Sequence, residues 1–265
     1  MKENMSFTEP KILEVEDLTM QLLEANKKIQ QDEEERTRMM SDIAHDLRAP
    51  VNALRSSIDY LIAMRDKDIF DMEEFDKVLG IMDKRTKGLQ NLIQDMYFLL
   101  TLEQQKESIY NFEVIELGAF LEEYFYNFSL RYDKKRVCIL DMPVDLNVCV
   151  NIDVEKMVRV LDNLTSNAVK YSSENDKITI GAYKNKNGVT FFVADTGIGI
   201  APENLNRIFE HTYQVSKART PDADSGSGLG LAIVKTIITQ HKGNIHCESR
   251  LLEGSVFYVD LPESD

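Results

Sequence analysis

Apolar positions in the first hundred residues follow a two-step rhythm. From Leu18 a stripe runs through Leu22, Ala25, Ile29, Asp32, Arg36, Met39 and Ile43, in alternating steps of four and three. This is the spacing of a coiled-coil seam and predicts one long helix. Asp32 and Arg36 interrupt the seam, as polar residues do where they fix register at some cost in stability. Residues 1–10 carry no pattern and are expected to fray. The rhythm breaks at Arg65-Asp66-Lys67-Asp68, which reads as a turn. It resumes in a second helix at Phe75, Leu79, Met82, Thr86, Leu89, Ile93, Met96 and Leu100. Two such helices form an antiparallel hairpin. One hairpin cannot bury both stripes, whereas two can, as a four-helix bundle, so a homodimer is expected.

After Gln104-Gln105-Lys106-Glu107 the periodicity changes. Short β-branched and aromatic runs appear at 112–115, 137–142, 148–152, 178–183 and 189–194. Helical patterns separate some of them, at Leu117–Tyr132 and Val154–Tyr171. A closing hairpin pairs Gly243–Glu248 with Ser255–Leu261 around Glu253-Gly254. The prediction is an α+β chain: a helical hairpin, then a domain with helices on one face of a mixed sheet. The expected divisions are 1–38, 39–107 and 108–265.

Charge narrows the partners. Lys plus Arg total 31 against 45 Asp plus Glu, for a formal charge of −14. Such a surface repels phosphate backbones and argues against nucleic acid. Cys138, Cys149 and Cys247 are scattered and read as buried thiols of a reducing compartment rather than a disulfide framework or zinc site. No apolar run approaches the roughly 18 residues that cross a bilayer, and no signal peptide is evident. The chain is therefore expected to be cytoplasmic, by itself or as the cytoplasmic portion of a longer membrane receptor.

Four stretches carry chemistry. Ser41-Asp42-Ile43-Ala44-His45-Asp46-Leu47-Arg48-Ala49-Pro50 presents His45 on a helix face shared with Ser41, Asp42, Arg48, Ala49 and Asn52. Ile43, Leu47, Val51 and Leu54 fall elsewhere and can be buried. Pro50 deprives the Asp46 carbonyl of its helical partner, so a bend is expected. The helix 154–171 aligns Asn163, Asn167, Lys170 and Tyr171, a set able to hold a hydrated cation and phosphate oxygens. Asp195-Thr196-Gly197-Ile198-Gly199-Ile200 follows a strand. Its carboxylate can accept from an adenine amino group, and its glycines allow close backbone approach. Gly226-Ser227-Gly228-Leu229-Gly230-Leu231 opens a helix at 229–241, whose N–H groups favour anions. Between the two glycine stretches lies a polar segment with Lys217 and Arg219 that suits a lid. His211, His241 and His246 read as structural or exposed.

These stretches, in this order, resemble the boxes of sensor histidine kinases of two-component systems. Ala44 to Pro50 resembles the phosphoacceptor box, with Ala49 where that family usually has threonine. Asn163 to Tyr171 resembles the N box, 195–199 the G1 box and 226–230 the G2 box. Ile208-Phe209-Glu210-His211-Thr212-Tyr213 resembles the F box, with Thr212 in place of an aromatic. The resemblance spans about residues 39 to 262. It implies a signal-input coiled coil, a HisKA-type dimerisation and phosphotransfer hairpin, and an α/β-sandwich ATP-binding domain of GHKL type.

The resemblance also implies roles. ATP with Mg²⁺ would be held by Asn163, Asn167, Lys170, Tyr171, Asp195, Gly197, Gly199, Lys217, Arg219, Gly226, Gly228, Leu229 and Gly230. Asn167 would be the metal ligand. His45 would take the γ-phosphoryl group, with Asp46 orienting the ring or taking its proton. The phosphoryl group would pass to an aspartate in the receiver domain of a response regulator. Ala49 lacks a donor or acceptor for the water that would dephosphorylate that regulator, so weak phosphatase activity is expected. The alternatives are a non-catalytic nucleotide-binding dimeric scaffold, or another ATPase of the same fold.

Overall fold

The computed structural model describes residues 9–66, 71–104, 110–132, 137–210 and 228–264. It opens on a helix of 58 residues, α1 (Glu9–Asp66), which passes through Pro50. α2 covers Met72–Gln104, with Glu73 and Glu74 in its first turn, where acidic side chains favour the helix dipole. The chain divides into two units within α1, at Arg48–Ala49.

The predicted apolar stripes are only partly covered. In α1, Ile43 is buried, whereas Leu18, Leu22 and Ile29 are exposed, as is Val51. The side chains of Asp32, Arg36 and Met39 lie outside the described residues. In α2, Leu79 and Ile93 are 43% and 45% exposed. The best-buried residues there are Leu92 and Leu99, off the predicted stripe. α2 also packs on the later helix α6 (Gly230–Gln240), a partner distant in sequence.

The remaining elements are β1 (Glu113–Glu116), α3 (Leu117–Tyr132), β2 (Val137–Asp141), β3 (Cys149–Ile152), α4 (Val154–Tyr171), β4 (Lys177–Asn185), β5 (Gly188–Asp195), α5 (Pro202–Leu205), then α6, β6 (Asn244–Arg250) and β7 (Gly254–Pro262). Five strands form a mixed sheet in the order β2-β4-β5-β7-β6. β2 runs parallel to β4, and the other neighbours are antiparallel. β1 and β3 stand apart as a two-stranded antiparallel ribbon, with Glu113 opposite Ile152. These two segments were expected within the main sheet. Their pairing is non-local, so no local pattern encodes it.

Burial alternates along the strands, as one covered sheet face requires. Ile178 and Ile180, Phe191 and Val193, and Phe257, Val259 and Leu261 are buried. α3, α4 and α6 all pack on the sheet. α4 contributes Met157, Val160, Leu161, Leu164 and Ala168; α6 contributes Ala232, Ile233, Val234, Ile237 and Ile238. On the alternate register, Tyr183, Phe192, Tyr258 and His246 form a row of ring contacts at 6.3, 6.0 and 4.9 Å. The cysteines are free, but Cys149 is exposed rather than buried, because it falls on the outward register of β3. Among the described residues no helix is long and apolar enough to cross a membrane.

Candidate active site

His45 lies in α1 with its side chain 64% exposed. Its Nδ1 is 3.6 Å from the Asp46 carboxylate, an ion-pair distance rather than a hydrogen bond. Burial raises the Asp46 carboxyl above the ordinary range, and His45 partly opposes that rise. A carboxylate on the Nδ1 side favours the proton there and leaves Nε2 as the free lone pair. Ala49 is exposed, one helical turn on in sequence.

The nucleotide-type residues converge in the α/β part. α4 has the predicted boundaries because Asp153 caps it: its carboxylate accepts from the Lys156 N–H at 3.0 Å. Asn163 Nδ2 donates to the Arg159 carbonyl at 3.0 Å. Its Oδ1 is only 2.7 Å from where a Cβ on Gly230 would lie, so the start of α6 sits directly against Asn163. Among the described residues the half-buried Asn167 amide has no side-chain hydrogen bond. Lys170 and Tyr171 are exposed, with the ammonium 5.0 Å from the ring centroid.

Asp195 is the last residue of β5 and is nearly buried. Its Oδ1 accepts from the Gly197 N–H at 2.9 Å. Burial pushes this carboxyl up, and the backbone N–H groups of Gly197 and Ser255 hold it partly down. The glycines that follow lie hard against the protein's own backbone. A Cβ on Gly197 would lie 2.1 Å from the Tyr171 carbonyl, and one on Gly199 (φ 68°) would lie 1.9 Å from the Arg250 carbonyl. They therefore let this loop seat against its own scaffold. The Ile198 N–H donates to Tyr171, the Ile200 N–H to Ser249 Oγ, and the Leu252 N–H to Ile198.

At the start of α6, Gly228 has φ 69° and Leu229 is fully buried, with no side-chain cap on the helix. Leu229 thus contributes core packing, and any ligand contact from it would come from backbone. The uncapped N–H groups are the anion-binding feature of a helix start. Lys217, Arg219 and Gly226, with His211, Thr212 and Tyr213, lie outside the described residues.

Two clusters were not foreseen. Arg159 of α4 pairs with Asp95 of α2 at 2.7 Å and lies 3.9 Å from the Phe98 ring centroid. The second is a buried knot of Asp153 and His241. A sequence signal existed for the first, since Asp95 and Phe98 share a face of α2, but nothing local points to a partner 64 residues away.

A divalent cation fits the donor set only in one way. Among the described residues no group of three His, Cys, Asp or Glu could hold a metal ion. An amide oxygen such as that of Asn167 must then be supplemented by phosphate and water, which is how Mg²⁺ is commonly held beside nucleotides.

A helix-borne exposed histidine, on one chain with an α/β sandwich whose N-, G1- and G2-type residues converge, defines a class: a phosphoacceptor domain joined to an ATPase domain. Comparison with known proteins agrees. Residues 35–105 match the His Kinase A (phospho-acceptor) domain, and residues 152–265 match the histidine kinase-, DNA gyrase B-, and HSP90-like ATPase. Together these matches cover well over half of the chain, which belongs to the sensor histidine kinases of two-component systems.

Sensor protein SrrB of Staphylococcus aureus is 30% identical over 230 residues, covering 85% of this chain and 38% of that protein. The chain thus spans under two fifths of the length of such relatives. The histidine kinase AdeS of Acinetobacter baumannii has a similar structure, with TM-score 0.61 and 25% identity over 83% of this chain and 98% of that one. Full-length ShkA in complex with AMPPNP gives TM-score 0.59 and 25% identity, covering 74% and 40%.

Proposed function

We propose that this chain is the kinase portion of a two-component sensor. It phosphorylates His45 from ATP and passes the phosphoryl group to an aspartate in a response-regulator receiver domain. The observation that carries the reading is His45: an exposed imidazole with Asp46 on its Nδ1 side, on the same chain as a convergent nucleotide site.

Asp195 would accept from the adenine amino group, the start of α6 and the N-box amides would bind the phosphates, and Asn167 would hold Mg²⁺. When bound, the ion neutralises phosphate charge. The nucleophile is the neutral imidazole of His45. Its Nε2 lone pair forms the N–P bond. The bond between the γ-phosphorus and the bridging oxygen breaks, and ADP leaves with that electron pair. The Nδ1 proton stays near Asp46, whose charge offsets the cationic ring.

Residues 1–38 deliver the input, 39–107 dimerise and carry the phosphoryl group, and 108–265 bind ATP. The exposed Leu79 and Ile93 support a homodimer, since a second hairpin would cover them. Dependence on ATP supports a cytoplasmic site of action. Incubation with γ-labelled ATP tests the reading. Acid-labile, base-stable label on the protein is expected. Release of free phosphate without labelled protein would make the chain an ATPase, and neither product would make it a scaffold.

A further inference from the structure

His241 was expected to be structural or exposed; it is 3% exposed and makes two directed bonds. Its Nδ1 lies 2.8 Å from the Ile237 carbonyl, and its Nε2 accepts the Asp153 N–H at 3.0 Å. Both bonds are satisfied only by the neutral ring with its proton on Nδ1. The titratable groups facing this ring are Asp153 and Tyr110. Burial lowers the His241 pKa, which favours the neutral form.

Asp153 is engaged three times. One carboxylate oxygen caps α4 at Lys156, the other accepts the Asn111 N–H at 3.0 Å, and its own N–H goes to His241. The chain arriving from α2 is clamped at the same point. The Tyr110 and Phe112 rings stack on each other and meet the His241 ring edge-on or tilted, at centroid distances of 5.7 and 5.0 Å. One buried knot therefore joins the arriving chain, the N-terminus of α4 and the C-terminus of α6.

The start of α6 meets the middle of α4, where Gly230 lies against Asn163. Asp153 to Asn163 spans ten residues and Gly230 to His241 spans eleven, each about 15–17 Å of helix. Over this length α4 and α6 thus lie side by side in opposite directions, in contact at Asp153–His241 and at Asn163–Gly230. A shift at the knot would change the spacing between the Asn163–Asn167 face and the start of α6 at Gly228–Gly230.

We propose that the Asp153–His241 pair is a positioning device that couples residues Tyr110–Phe112 to the geometry of the nucleotide site. This goes beyond the kinase reading and rests on its nucleotide-binding part. Coupling is reciprocal, so if nucleotide tightens the knot, loosening the knot weakens nucleotide binding by the same factor.

The test is residue-resolved hydrogen exchange on the full chain, with and without Mg²⁺ and AMPPNP, together with the affinity for that analogue. In the wild type the Asn111 and Asp153 amides are expected to slow by about fivefold or more on binding, alongside Gly197 and Ile198. In His241→Phe the slowing at Asn111 should vanish while that at Gly197 persists. His241→Gln, which retains an acceptor near Nε2, should restore part of it. Phe112→Ala, at a partly exposed ring, tests the coupling without emptying the core. It should weaken analogue binding by about fivefold. Slowing at Gly197 and Ile198 without any at Asn111 and Asp153, or unchanged affinity in Phe112→Ala, would overturn the proposal. If Gly197 and Ile198 do not respond in the wild type, the nucleotide reading itself fails and the coupling falls with it.

Discussion

The glycines of the two regions differ in kind. In α2, a Cβ added at Gly80 or Gly88 would meet nothing within 4 Å. In the α/β region, Gly181, Gly197, Gly199, Gly243 and Gly254 each have a backbone oxygen within 2.5 Å of that position. The helical region is also where large apolar side chains such as Leu18, Leu22 and Met20 stand exposed, whereas the sheet residues Phe191, Val193 and Val259 are sealed. One region holds a sealed core within a single chain, although Leu130, Val144 and Leu252 stand exposed on its surface. The other leaves surface for something else to complete, and it carries the exposed histidine. Chemistry that must meet a partner belongs on the open region, and nucleotide recognition, which needs fixed geometry, belongs on the closed one.

The largest effect should come from filling the closed side. At Gly254 φ is 101° and a Cβ would lie 1.9 Å from the Asp195 carbonyl. Gly254→Val should therefore cost more than about 3 kcal/mol and abolish analogue binding, through strain beside Asp195. A cooperative unfolding transition unchanged from wild type would break the contrast.

On the open side a single exposed atom should alter chemistry without altering the fold. Ala49→Thr is expected to raise dephosphorylation of the phosphorylated regulator, by as much as about 10²-fold, because a hydroxyl can orient water where a methyl cannot. The rate with ADP present checks it. A wild type already as fast as the variant would remove this position from the activity.

Ile93→Glu probes what covers α2. The side chain is solvated in the single chain, so monomer stability should change by no more than about 0.5 kcal/mol. If a second hairpin packs there, sedimentation should show the dimer dissociating at micromolar concentration. An unaffected dimer would place the seam elsewhere.

The smallest effect has the opposite sign. Gly88→Ala fills open space in a helix and should stabilise by about 0.5–1 kcal/mol. Destabilisation on thermal melting would mean that a partner backbone approaches Gly88.

What was legible follows the same division. The α4 boundaries could be read because apolar spacing and the Asp153 cap are local signals. The Val154–Tyr171 face was readable for the same reason. The β1–β3 ribbon, the Leu92 and Leu99 face of α2 and the Asp153–His241 knot were not, because each depends on a partner distant in sequence. The glycine pattern at 197 and 199 shows that backbone must approach closely, but not that it is the backbone at Tyr171 and Arg250.

The most direct test of the central claim asks where the phosphoryl group is carried. The wild type and His45→Gln, after incubation with Mg²⁺ and γ-labelled ATP, are digested at neutral to basic pH and the labelled peptides sequenced. The account predicts label on the peptide containing His45 alone, and none on the variant, which should still bind AMPPNP as the wild type does. Label of equal amount on the variant, or on a peptide of the α/β region, would contradict it.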